Sequence, residues 1–148
     1  MKLEFKRVRP EEDADLTPPA WQTAGAAGLD IAAGVREPLT INPGDIRLVP
    51  TGWSMAIPEG YEGQVRPRSG LALKKGLTMV NTPGTIDSDY RGEMMLPMIN
   101  LGKEPVIIRR GDRVAQLIIS KVEHPEIVVV EELSDTVRGA GGFGSTSV

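Results

Sequence analysis

The sequence predicts an all-β domain, and three observations carry that reading. Seventeen glycines and twelve prolines are spread over the 148 residues, so few stretches reach ten residues without a breaker and long helices are excluded. Between the breakers lie about eleven short runs rich in β-branched and apolar residues, the pattern of a sandwich, jelly roll or barrel. The length is that of one domain with a real core, and neither an internal repeat nor an interdomain linker divides it.

In chain order, strands are expected at 3–8, closed by Pro10; at 29–33, between Gly28 and Gly34; at 39–41, after Pro38; and at 46–50, after Pro43-Gly44. Gly52 and Pro58 bracket the next at 53–57, Gly60 precedes 61–66, and Gly76 precedes 77–80. The last four are 94–99 after Gly92, 106–109 after Pro105, 114–122 after Gly111 and 127–130 after Pro125. One helix interrupts the series. Ser69-Gly-Leu-Ala-Leu-Lys-Lys-Gly76 offers a serine N-cap, a short apolar body, lysines in the last turn and a glycine stop. Two turns are marginal alone, so packing must hold them. Residues 134–148 are glycine-rich with little apolar bulk, too little to repay the entropy of ordering. The expected organisation is a β-barrel domain over 1–133 and a mobile C-terminal arm over 134–148.

Composition narrows the chemistry. The formal charge of −3 gives no basic surplus for nucleic acid or a membrane surface, although a free nucleotide needs only a local cluster of cations. Cysteine is absent and His124 is the sole histidine, which removes disulfides and a histidine-based zinc cluster. His124 before Pro125 reads as a solvated loop residue. No Gly-x-x-x-x-Gly-Lys-Ser/Thr phosphate loop occurs. The charged N-terminus lacks a signal-peptide segment and no apolar run approaches membrane length. The expected location is the cytoplasm.

The most informative stretch is 81–93, Asn-Thr-Pro-Gly-Thr-Ile-Asp-Ser-Asp-Tyr-Arg-Gly-Glu. Pro83-Gly84 suits a turn. On an extended strand Asp87 and Asp89 point one way and Tyr90 the other. The run reads as a short hairpin with an amide, two carboxylates and one ring, groups that suit a polar planar ligand beside an acid/base centre; a solvated turn with self-capping aspartates is the plain alternative. Arg66-Pro-Arg-Ser-Gly70 sets Arg68 and the Ser69 hydroxyl at a helix start, where free N–H groups and guanidinium donors suit phosphate; the plain alternative is an N-cap with solvated arginines. Gly28-Leu-Asp-Ile31 reads as a turn before a strand. In Gly111-Asp-Arg-Val-Ala-Gln-Leu-Ile-Ile119, Gln116 is an amide inside an apolar run and must find a partner. Gly139, Gly141 and Gly144 match Gly-x-Gly-x-x-Gly, but no strand and helix flank them, so a dinucleotide fold is excluded.

These runs, in this order, resemble the five motifs of the trimeric dUTPase family across 27–147, departing only at Ser147 where the common pattern has glycine. The resemblance implies a dUTPase-type β-barrel with jelly-roll character, assembled as a homotrimer with shared active sites. It also implies Mg²⁺-dependent hydrolysis of dUTP to dUMP and pyrophosphate, which keeps uracil out of DNA and supplies dUMP for thymidylate synthesis. Asp87 takes the role of general base, with Asp89 its rival by chemistry. Asp30 approaches the metal through bound water. Arg68, Ser69, Gly70, Gln116 and Arg138 fall at triphosphate positions. Asn81, Gly84, Thr85 and Ile86 fall at the uracil-reading turn, and Tyr90 lies against the deoxyribose, closing the space of a 2′-hydroxyl. Phe143, with Gly144 and Ser145 beside it, belongs to the arm that closes over the base. Two alternatives share the scaffold: a dCTP deaminase, which needs a glutamate on the strand after the hairpin where 94–99 holds no carboxylate, and a non-catalytic nucleotide-binding trimer. A lectin-like sandwich is disfavoured by an aromatic content of only 4%.

Overall fold

In a computed structural model, described here over residues 1–142, the chain forms ten strands and one short helix. The strands are β1 (Glu4–Arg7), β2 (Leu29–Ala32), β3 (Leu39–Ile41), β4 (Ile46–Ala56), β5 (Tyr61–Pro67), β6 (Leu77–Met79), β7 (Gly84–Ile86), β8 (Glu93–Asn100), β9 (Val106–Ile108) and β10 (Arg113–Lys121). The helix α1 is Ser69–Lys75. Two four-stranded sheets, in the orders β1-β4-β8-β6 and β2-β10-β5-β7, accompany a two-stranded ladder of β3 and β9, all antiparallel. The sheets do not close hydrogen bond by hydrogen bond into one barrel; they face each other across a shared core, in the jelly-roll manner.

That core follows from alternation. In β8 every second residue, Met94, Leu96, Met98 and Asn100, is buried, and these meet Ile31, Ile41, Val49, Leu77, Val114 and Leu117 from the other strands. Burying each such aliphatic side chain contributes roughly 1.5–3 kcal/mol. The buried amide of Asn100 donates to the carbonyls of Ile41 and Glu104 and accepts from the Gly102 N–H, so its polarity is satisfied.

Four expectations are corrected. The runs 46–50 and 53–57 are one strand, β4, with a bulge: its register on β8 shifts between Pro50 and Ser54. Proline inside a sheet belongs at such a break, and Gly52 adopts φ +77°, a conformation suited to glycine. Position 52 also has no room for a side chain, because a Cβ there would press on Leu16 and Asp13. Second, the 81–93 stretch is not a hairpin on itself. Gly84–Ile86 is strand and pairs with β5, and Glu93 opens β8; Asp87 to Tyr90 form a turn closed by the Tyr90 N–H on the Asp87 carbonyl at 3.2 Å. Third, Ser69 is the first helical residue rather than the cap. Arg68 holds the N-cap position without a side-chain cap bond, while Gly76 closes the helix in the left-handed conformation as its sequence implies. Fourth, 127–130 forms no strand: Ile127 is 92% and Val129 95% exposed. Its β-type composition is real, but among the described residues no strand pairs with it. From 123 to 140 the chain is irregular and exposed.

Candidate functional site: two half-sites on one chain

The first half-site grows from β7. Ile86 is buried in the core and Gly84 lies flat on β5, where its missing side chain admits the Asn81 amide. This anchors one end of the turn and leaves Asp87 exposed beyond it. Asn81, Gly84, Thr85, Ile86, Asp87 and Tyr90 line one cavity of about 190 Å³, floored by Val65, Met79 and Met94. The Tyr90 hydroxyl donates to the Glu93 carbonyl at 3.0 Å. Gly92 lies under the ring, and a Cβ there would collide with the Tyr90 hydroxyl. Tyr90 is therefore held from its far end as well as its backbone.

Glu93 lines the same cavity and was not foreseen. The strand after the turn begins at Glu93, so it does carry a carboxylate, contrary to the reading of 94–99 alone. That carboxylate is occupied: Arg9 forks onto both oxygens at 2.9 Å and the Gly52 N–H donates at 2.8 Å. Burial pushes the Glu93 carboxyl up, but the Arg9 hydrogen bonds and the Gly52 N–H outweigh it and hold the group below the usual glutamate range.

The second half-site grows from one row across the other sheet. Asp30 on β2 faces Gln116 on β10, which faces Arg66 on β5, and β5 runs directly into Arg68 and α1. The Gln116 amide donates to the Pro67 carbonyl at 3.0 Å, the partner its sequence context demanded. Gly28 is required here, since a Cβ would strike the Gln116 side chain. Asp30 sits between two guanidiniums, Arg68 at 3.4 Å and Arg113 at 3.0 Å, and Arg68 also donates to the Arg113 carbonyl at 3.0 Å. Asp30, Arg68, Ser69, Gly70 and Gln116 line a cavity of about 420 Å³ with Leu71, Lys74 and Lys75. Arg113, Lys74 and Lys75 were missed as site residues. The signal for Lys74 was its spacing four residues after Gly70, one helical turn along the same face.

The two cavities are separate: the one with Asp87 and Tyr90 contains none of Asp30, Arg68, Ser69 or Gln116. A cleft of about 450 Å³ between them joins Ser69 and Gln116 to Thr82 and Pro83. Arg138 lines none of these three cavities; it is exposed and donates to the Gly141 carbonyl at 2.8 Å. Phe143, Gly144 and Ser145 lie outside the described residues. Among the described residues no three acidic or histidine side chains gather as a metal cluster; Asp30 is the one carboxylate lining the cationic half-site. No helix among the described residues is long and apolar enough to cross a membrane.

Comparison with known proteins agrees with the motif order. A model of the dUTPase family matches residues 14–147. The chain is 54% identical over 148 residues to the deoxyuridine 5'-triphosphate nucleotidohydrolase of Caldanaerobacter subterraneus subsp. tengcongensis, covering all of both chains. It is 56% identical over 147 residues to the enzyme of the same name from Desulfotalea psychrophila, covering 99% of this chain and 98% of that one. Among solved structures it is similar to the Staphylococcus bacteriophage 80alpha dUTPase with dUPNHPP, at a TM-score of 0.88 and 27% identity over 99% of both chains. With ten short strands, the two half-sites and this full-length likeness in hand, the chain belongs to the dUTPase family.

Proposed function

We propose that the protein hydrolyses dUTP to dUMP and pyrophosphate at sites completed between copies of the chain. The observation that carries this reading is the division of chemistry between the half-sites: one has no cationic side chain in its lining and holds the exposed Asp87 carboxylate beside the Tyr90 ring, the other is lined by Arg68, Lys74 and Lys75. The first suits a base and sugar, the second a polyphosphate. The relatives named for this reaction support it.

Asn81 and the backbone at Gly84 to Ile86 read the polar edge of uracil, and the tight turn excludes a methyl group on the base. Tyr90 lies along the deoxyribose. Asp87 accepts a proton from a water as that water attacks the α-phosphorus; the bond from the α-phosphorus to its bridging oxygen breaks and pyrophosphate leaves. A positioned base of this kind contributes about 10²–10⁴-fold. Arg68, Ser69, Gly70 and Gln116 hold the phosphates, with Lys74 and Lys75 at the margin. Hard carboxylate oxygen suits Mg²⁺, and Asp30 would hold a metal-bound water there. When bound with the triphosphate, the metal supplies charge neutralisation. The arm over 134–148 brings Arg138 to the terminal phosphate and Phe143 to the base, closing the site.

A trimer of the chain is supported by apolar surface. The outward side of β4, β8 and β6 pairs Ile46 with Ile99, Leu48 with Pro97 and Pro50 with Met95, so β8 is apolar on both faces, as strands covered on both sides are. Exposed Val80 extends this face, and the uncovered 127–130 segment adds a second apolar element. Both suit burial against another copy. In the cell the activity would keep uracil out of DNA and supply dUMP for thymidylate synthesis, in the cytoplasm. A deaminase reading is disfavoured because Glu93, the carboxylate at the start of β8, is locked to Arg9. Incubation with each deoxynucleoside triphosphate and Mg²⁺, with pyrophosphate as readout, tests the reading: release from dUTP alone is expected, and release of ammonia from dCTP would overturn it.

A further inference from the structure

We propose that the N-terminal ionic cluster centred on Arg9 and Glu93 is a positioning device for Tyr90 and thereby sets discrimination between deoxyribo- and ribonucleotides. This rests on the reading of Tyr90 as the sugar wall. Tyr90 gets its distal anchor from the Glu93 carbonyl at 3.0 Å, so the ring is only as fixed as the first residue of β8. That residue is poorly held by the sheet. Ser54–Glu93 is the single register pair beyond the break in the β4–β8 ladder, since pairing shifts between Pro50 and Ser54. The side chain does what the ladder does not. Its two oxygens take the Arg9 fork at 2.9 Å each, and one also takes the Gly52 N–H of the bulge at 2.8 Å. Such paired, charge-assisted bonds fix orientation as well as distance.

Arg9 is itself ion-paired on its other side. Its Nε lies 3.0 Å from the carboxylate of Asp13, which is 1% exposed, and Arg110 reaches the other Asp13 oxygen at 3.2 Å. Gly52, whose side-chain space Asp13 and Leu16 fill, ties the same loop to the bulge. An unbroken chain of contacts therefore runs from the buried Asp13 through Arg9 and Glu93 to the Tyr90 hydroxyl; Glu93 and Tyr90 line the base cavity, while Asp13 and Arg9 lie outside it. Loosening it lets the ring swing and admits a 2′-hydroxyl, while the base Asp87 and the phosphate half-site are untouched.

The experiment compares kcat/KM for dUTP and UTP in Glu93→Gln, Arg9→Lys, Arg9→Met, Tyr90→Phe and the Glu93→Gln/Tyr90→Phe pair, with Asp15→Asn as control. Asp15 belongs to the same cluster through Arg110 but touches neither Glu93 nor Tyr90. Glu93→Gln and Arg9→Met are expected to lower the dUTP:UTP ratio about tenfold, the scale of a steric discrimination partly lost. Arg9→Lys, which keeps the charge but not the fork, falls between. Tyr90→Phe is expected to match Glu93→Gln, and the pair to add nothing further. A loss of thermal stability with the native ratio kept in both Glu93→Gln and Arg9→Met, while Tyr90→Phe lowers it, overturns the proposal and leaves the sugar wall standing. If Tyr90→Ala also keeps the native ratio, the underlying reading of Tyr90 falls with it. Should Glu93→Gln not fold, the Arg9→Lys ratio decides alone, and a native value overturns the proposal.

Discussion

The two half-sites are built in opposite ways. The base half is held by packing and backbone: Ile86 is buried, Gly84 is flush on β5, and Tyr90 is pinned to the Glu93 carbonyl. The phosphate half is held by charge, with Asp30 clasped between Arg68 and Arg113 and the lysines of α1 at its edge. A neutral planar ligand rewards a rigid slot, because its selectivity comes from shape and a few hydrogen bonds. A polyanion rewards a local concentration of cations, and Asp30 holds two guanidiniums close together.

The comparison breaks most sharply at Asp87. Asp87→Asn is expected to lower turnover about 10²–10⁴-fold while a non-hydrolysable dUTP analogue still binds, measured by calorimetry. If Asp89→Asn alone has that effect, the base has been placed on the wrong aspartate. On the phosphate side, Arg68→Ala removes charge-assisted bonds and should reduce kcat/KM about 10–100-fold, the equivalent of 1.5–3 kcal/mol, with a steeper loss for dUTP than for dUMP binding. Equal losses for both nucleotides would put Arg68 outside the β- and γ-phosphate contacts.

Assembly is a subtler lever. Leu48→Lys places a charge on the outward face of β4, where Leu48 is 56% exposed in the single chain, so the monomer should fold normally. Light scattering should shift from three times 15.9 kDa toward the monomer mass, with activity rising again at higher protein concentration. An unchanged mass would free that face from the interface. The smallest effect concerns pH. Glu93 is held below the ordinary glutamate range in the fold, so its contribution to stability is full above the unfolded value and is lost as pH falls through the folded one. Native protein should therefore exceed Glu93→Gln in thermal stability at neutral pH, with the gap closing in acid. A gap that stays constant with pH would assign the loss to packing rather than charge.

How far the sequence carried the fold depends on the kind of signal. Gly76 at the end of α1 and the breaks before β3, β6 and β9 follow from local chemistry, and they stand where glycine and proline put them. The Gly52 bulge reads as a strand boundary because glycine's local meaning is the same in both; only the docking of Asp13 and Leu16 against it, residues distant in sequence, tells them apart. The 127–130 run reads as a strand because its residues favour one, yet strand formation needs a neighbour, and none pairs with it among the described residues. Candidate site residues such as Asp87, Arg68 and Gln116 follow from motif order. Arg9, Glu93 and Arg113 were not, because ion pairs across 84 and 83 residues leave no local pattern. Nor does sequence reveal that the half-sites sit in different cavities of one chain.

Complementation tests that separation most directly. Asp87→Asn spoils only the base half and Arg68→Ala only the phosphate half. Unfolded together at equal amounts and refolded, the two nearly inactive variants should regain about a quarter of native activity, because in a randomly mixed symmetric oligomer one site in four draws an intact half from each variant. Mixed activity no greater than the mean of the two separate proteins, with mixed assembly confirmed by mass, would contradict shared sites and place the whole reaction within a single chain.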